Sequence, residues 1–95
     1  MIIHYNNDAL ESLSSLILFI EKTNTQGSGI RWLNKYEEFL FDRFRFHETI
    51  KPCNNVTLRD LNLKCLNYNE WIIAFSVEEN EIIIEAFLHY SRIAD

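Results

Sequence analysis

The chain has 95 residues, 47% of them hydrophobic and 14% aromatic, with a formal net charge of −5. That length fits one domain over residues 1–95 with a single modest core, and it excludes a second domain. The apolar content excludes a disordered chain, and the acidic balance argues against a broad basic surface for nucleic acid, although a small basic site on one face stays open.

In chain order, Ile2-Ile3-His4-Tyr5 is a short apolar run that reads as a strand. Asp8-Ala9-Leu10-Glu11 has the form of a capping box, with Asp8 accepting from the amide three residues on and Glu11 reaching back. Leu10, Leu13, Ile17 and Ile20 then recur at helical spacing, with Leu16 and Phe19 widening the stripe. Glu21-Lys22-Thr23-Asn24 is polar and ends this first helix. Thr25-Gln26-Gly27-Ser28-Gly29 reads as a helix–helix turn with Ser28 as the next N-cap. A phosphate-cradling loop is the alternative, but the stretch follows no strand and lacks the Lys-Ser/Thr ending.

The second helix is expected from about Ile30 to Phe46, with Leu33, Tyr36, Leu40 and Phe44 on one face. Trp32, Phe39 and Phe41 make it aromatic, which points to core and interface. Glu37, Glu38 and Asp42 would repel an anionic membrane surface. His47 to Val56, with Pro52, Asn54 and Asn55, reads as a loop. Arg59, Leu61, Leu63 and Cys65 alternate with Asp60, Asn62 and Lys64 as on a half-exposed strand, and Asn67-Tyr68-Asn69 as a turn. Trp71 to Val77 and Ile82 to Leu88 are the arms of a hairpin around Glu78-Glu79-Asn80-Glu81, where Asn80 tolerates a left-handed conformation. The expected fold is therefore α+β: an N-terminal strand, a two-helix hairpin, then a three-stranded antiparallel meander, all strands in one sheet (β-α-α-β-β-β).

No apolar run reaches the length of a membrane span, and Met1-Ile2-Ile3-His4-Tyr5 lacks the charged start of a signal peptide. A cytoplasmic location is expected. Cys53 and Cys65 are too far apart for a Cys-x-x-Cys motif and have no histidine at ligand spacing, so free thiols are expected, with no metal and no cofactor. Asn55-Val56-Thr57 matches a glycosylation sequon, which has no meaning without export.

The element order resembles the RelE/ParE toxin superfamily. The resemblance covers the whole chain. It rests on the opening strand, Ala9-x-x-x-Leu13 in the first helix, Trp32-Leu33 in the second, and Leu58-Arg59-x-Leu61. Its most specific part is Trp71-Ile72-Ile73-x-Phe75-x-Val77, a short acidic loop, and Ile82-Ile83-Ile84-x-Ala86-Phe87-Leu88-His89-x-x-Arg92, which follows the hairpin and His-x-x-Arg ending of ParE-like members. The resemblance implies the toxin half of a toxin–antitoxin (plasmid stabilisation) pair, with a cognate antitoxin as partner. ParE-like members poison DNA gyrase. RelE-like members cleave messenger RNA on the ribosome.

Metal-independent RNA cleavage needs groups that activate a 2′-hydroxyl, stabilise the phosphorane and protonate a leaving oxygen. The RelE branch uses arginines and lysines on the sheet. Here Ile72 stands where that branch often has arginine, and the last strand offers Glu85. What remains is a candidate catalytic set of His89 as acid or base, Arg92 as phosphate holder and Arg59, with Lys64, Tyr90 and Arg92 as residues that contact a partner or substrate. For each, a structural role stands beside the functional one. His89 is then a strand-end histidine bonded to a backbone group or carboxylate, and Tyr90 a packed aromatic. Arg59 pairs with Asp60, Glu85 or the C-terminal carboxylate. His4 and His47 are isolated; Arg31, Arg43 and Arg45 are solvated or meet an acidic partner. The absent sheet arginines and the acidic charge favour protein docking over catalysis. A ribonuclease with a rearranged site (Arg59, Lys64, His89, Arg92), a non-toxic binding module, and a generic α+β domain with an aromatic assembly surface are the alternatives. Homodimerisation is left open.

Overall fold

The computed structural model describes residues 1–92. Its elements are β1 (Ile2–Tyr5), α1 (Asn7–Thr23), α2 (Ser28–Phe44), the short α3 (Val56–Asp60), β2 (Lys64–Tyr68), β3 (Trp71–Glu78) and β4 (Glu81–His89), with 3-10 turns at His47–Thr49 and Tyr90–Arg92. The strands form one mixed sheet in the order β1-β4-β3-β2. β1 runs parallel to β4, while β2, β3 and β4 make the antiparallel meander. The α+β class and the helical hairpin agree with the sequence reading; α3 was not expected. No helix among the described residues is long and apolar enough to cross a membrane.

α1 starts two residues earlier than the expected capping box. Asn6, not Asp8, is the N-cap, its Oδ1 accepting the Ala9 N–H at 2.8 Å. The buried stripe also differs from the expected one. Ala9 and Leu13 are buried, whereas Leu10 and Phe19 are 48% and 62% exposed. α2 has no side-chain cap of its own, and Ser28 does not serve. Instead the Glu21 carboxylate, from the last turns of α1, accepts the N–H of Gly27 at 2.8 Å and of Gly29 at 2.9 Å. These two bonds satisfy donors that a helix start leaves orphaned and hold the Glu21 carboxyl below its ordinary pKa. Gly27 sits at φ +85°, and a Cβ on Gly29 would lie 2.9 Å from the Ile17 carbonyl oxygen. The close crossing of α1 and α2 therefore requires glycine at position 29.

The alternation over Arg59–Cys65 does not form a strand along its whole length. Asn55 caps Val56–Asp60 as a helical turn, its Oδ1 accepting the Leu58 N–H at 3.1 Å, a local bond that competes with extended structure. Asn62 at φ 66° ends that turn, and the strand begins only at Lys64. The expected turn at 67–69 also moves. Tyr68 stays in β2 opposite Trp71, and the reversal is at Asn69-Glu70, with Asn69 at φ 54°. Cys53 and Cys65, expected as free thiols, are joined in a disulfide. A short loop and α3 bring the two residues together, which spacing alone does not reveal.

Two cores result. The larger lies between the helices and the sheet and contains Leu13, Tyr36, Leu40, Phe44, Ile73, Phe75, Ile82, Ile84 and Phe87. Phe44 and Phe75 meet edge to face at 4.8 Å. On the other face, Cys53, Leu63 and Ala74 form a smaller cluster with Leu58, Cys65 and Ala86. α3 therefore covers part of the sheet surface that the helical hairpin leaves bare.

One irregularity decides how β4 presents its side chains. Ala74 pairs with Ala86 but Phe75 pairs with Ile84, so Glu85 is an extra residue, a β-bulge. Side chains alternate between faces along a regular strand. The bulge resets that alternation, so Ile82 and Ile84 before it and Phe87 after it all enter the main core. His89, two residues beyond Phe87 and paired with Trp71, is thereby turned to the α1 side of the sheet.

Candidate functional site

Where β4 ends beside α1, a groove of about 830 Å³ opens. Its apolar surface comes from Leu16 and Phe19 of α1 and from Trp71 and Phe87 of the sheet. The Trp71 and Phe87 rings stack at 4.8 Å, 10° from parallel, which stiffens that wall. Asp8 and Glu11 of α1 stand on one rim, and His89, Ser91 and Arg92 on the other. Among the described residues lining the groove, Arg92 is the one lysine or arginine.

His89 is held on all sides. Its Nε2 lies 3.2 Å from a Glu70 carboxylate oxygen, and its Nδ1 lies 2.7 Å from Ser91 Oγ. The Ser91 backbone N–H also donates to Nδ1, at 3.3 Å. In the neutral ring Nδ1 is therefore the acceptor and Nε2–H donates to Glu70. Trp71 meets the ring edge-on and Tyr90 stacks on it, both with centroids 5.2 Å away. The strand-end role bonded to a carboxylate, weighed from sequence, is the arrangement found.

The other proposed residues do not join it. Leu58, one residue before Arg59, belongs to the small cluster on the opposite face, so α3 carries Arg59 on the far side of the sheet. Arg59 pairs with neither Asp60 nor Glu85. Glu85 instead accepts from Ser76 Oγ at 3.1 Å. The C-terminal carboxylate lies outside the described residues. The Lys64 Nζ donates to the His47 carbonyl at 3.2 Å. Lys64 aligns through Phe75 with Ile84, five residues along β4 from His89, roughly 15 Å at strand spacing. Arg92 shares the groove with His89, and Tyr90 turns toward a second cavity on the opposite face. Arg59, Lys64, His89 and Arg92 thus do not converge.

Sequence reasoning missed Glu70 and Ser91 as partners of His89, and the rim formed by Asp8 and Glu11. The signal for Glu70 was present: once the turn is placed at Asn69-Glu70, hairpin register brings residue 70 beside the end of β4, where the Tyr90 N–H donates to the Glu70 carbonyl at 2.8 Å. Among the described residues, no three His, Cys, Asp or Glu side chains gather as a metal site.

Electrostatically the groove is a poor phosphate cradle. Two carboxylates face one guanidinium, and Glu70 lies behind the histidine. Its aromatic wall and exposed Phe19 present apolar surface beside an acidic rim. No protein-family model and no curated protein matches this chain.

Proposed function

We propose that this chain is the toxin half of a type II toxin–antitoxin pair, of the ParE-like kind. It acts in the cytoplasm by docking on a protein target such as DNA gyrase and is neutralised by a cognate antitoxin. The observation that carries this reading is the groove between α1 and the end of β4, with its apolar wall, its Asp8 and Glu11 rim and Arg92 as its lining cation. A phosphodiester entering there meets net negative charge, whereas a cationic protein segment meets complementary charge. The strand order, the helical hairpin on one face and the His89-x-x-Arg92 ending support the same reading.

The test is induction in a bacterial host, followed by a gyrase supercoiling assay and an mRNA integrity assay with purified protein. The expected result is growth arrest with supercoiling inhibited and mRNA intact. Arrest with cleaved mRNA would favour a RelE-like ribonuclease, and uninterrupted growth a non-toxic binding module.

A further inference from the structure

Residues 51–53 lie along the outer edge of β2. Pro52 bridges to Lys64 in antiparallel fashion. The Cys53 N–H donates to the Leu63 carbonyl at 3.0 Å and the Cys65 N–H donates to the Lys51 carbonyl at 3.3 Å. An open strand edge is a template for pairing with another chain. Here the chain covers the first part of that edge with its own segment, and proline, which cannot donate to a ladder, sits where it belongs, on the outside.

The disulfide fastens this cover. Cys53 and Cys65 have Cα atoms 4.8 Å apart and close a loop containing α3. α3 has five residues, too few to persist as a helix without tertiary support. Cys53 is 2% exposed. Cys65 is partly exposed and borders a cavity of about 410 Å³ on the face away from α1 and α2. Pro52, Asn55 and Leu58 of the fastened segment form one wall of that cavity, and Glu70, Ile72 and Tyr90 another. A thiol therefore reaches the bond from the Cys65 side.

We propose that the Cys53–Cys65 disulfide is a redox-operated clasp on the sheet edge. Closed, it holds residues 51–53 against β2 and walls the cavity. Opened, it releases that segment with α3 and uncovers the β2 edge, while β1, β4 and β3 stay paired. The opening step is thiol–disulfide exchange with a low-molecular-weight thiol. Its thiolate attacks Cys65 Sγ, the S–S bond breaks, and Cys53 leaves as a thiolate that takes up a proton. A second thiol then displaces the first from Cys65, leaving two cysteine thiols and one oxidised disulfide of the reagent. The clasp does not depend on the toxin reading.

The test uses the whole chain purified without reductant. Alkylation and intact mass should count no free thiol before dithiothreitol and two after it. On reduction, amides within residues 50–66 should exchange hydrogen on the order of a hundredfold faster, as expected when a loop of this length loses its cross-link. Amides of β3 and β4 should keep their protection. A Cys53→Ser, Cys65→Ser double variant should show the reduced pattern without reductant. Two free thiols in the air-purified chain would overturn the proposal, because no clasp would exist. Unchanged exchange on reduction would overturn it too, since packing alone would hold the segment. Loss of protection across β3 and β4, in the reduced chain or the double variant, would make the bond a staple of the whole domain.

Discussion

Asn6 donates its side-chain amide to the Glu85 carbonyl at 2.8 Å. The same side chain caps α1 through its oxygen, so one residue ties the start of the groove's helical wall to the bulge that aims His89 at the groove. Replacing Asn6 with Ala removes a cap and a long-range hydrogen bond, and urea unfolding should show a loss of about 2 kcal/mol. Asn6→Asp keeps the cap, loses the donor and should fall between the two.

The Tyr5 and Tyr36 hydroxyls lie 3.0 Å apart, joining β1 to α2. Burial, and then the neighbouring Tyr5, push the Tyr36 hydroxyl well above its ordinary pKa. A folded-state pKa raised above the unfolded value of 10.0 means the folded chain favours the protonated form. That stability is fully present below pH 10 and is lost as pH rises beyond it. Tyr36→Phe should cost about 1 kcal/mol at neutral pH and soften the alkaline decline. Adding Tyr5→Phe should cost little more, since the bond is already gone.

The Glu21 cap gives a prediction at the other end of the scale. Its folded pKa is lowered by the Gly27 and Gly29 N–H groups. The stability it contributes is present above the unfolded pKa, about 4.5, and disappears as pH falls through the lower folded value. Glu21→Gln should lower the thermal midpoint at pH 7 and flatten the acid side of a stability–pH profile. Gly29→Ala should cost about 1–3 kcal/mol, because its Cβ collides with the backbone of α1.

The β3–β4 hairpin turns through Glu79 and Asn80, both at positive φ, between directly opposed Glu78 and Glu81. Asparagine and glycine suit such a two-residue turn far better than glutamate. Glu79→Asn combined with Asn80→Gly should stabilise the fold by about 1 kcal/mol in the same urea assay.

Periodicity made the two long helices and the final hairpin legible. Leu33, Tyr36, Leu40 and Phe44 recur at helical spacing and do face the sheet, and the apolar runs at 71–77 and 82–88 are long enough to mark buried strands. What stayed hidden depended on single local bonds. The Asn55 cap turned an alternating stretch into α3, and the Glu85 bulge changed which face the end of β4 presents. His89 and Arg92 could be picked out because the chain ends its hairpin with them. Their company was harder to read, since Glu70 meets His89 only once the hairpin register is placed, and Asp8 and Glu11 reach the groove through packing. The cysteine pairing needed the loop's path, and a spacing rule built for metal and redox motifs has no bearing on it.

The proposed docking of a protein in the groove beside α1 can be tested by growth after induction of wild type and of Phe19→Glu. Phe19 is 62% exposed on the groove wall, so the change should leave folding intact, as a matching urea midpoint would verify, while placing a third carboxylate in the proposed docking surface. Wild type should arrest growth and Phe19→Glu should not. Equal arrest by both proteins would contradict it.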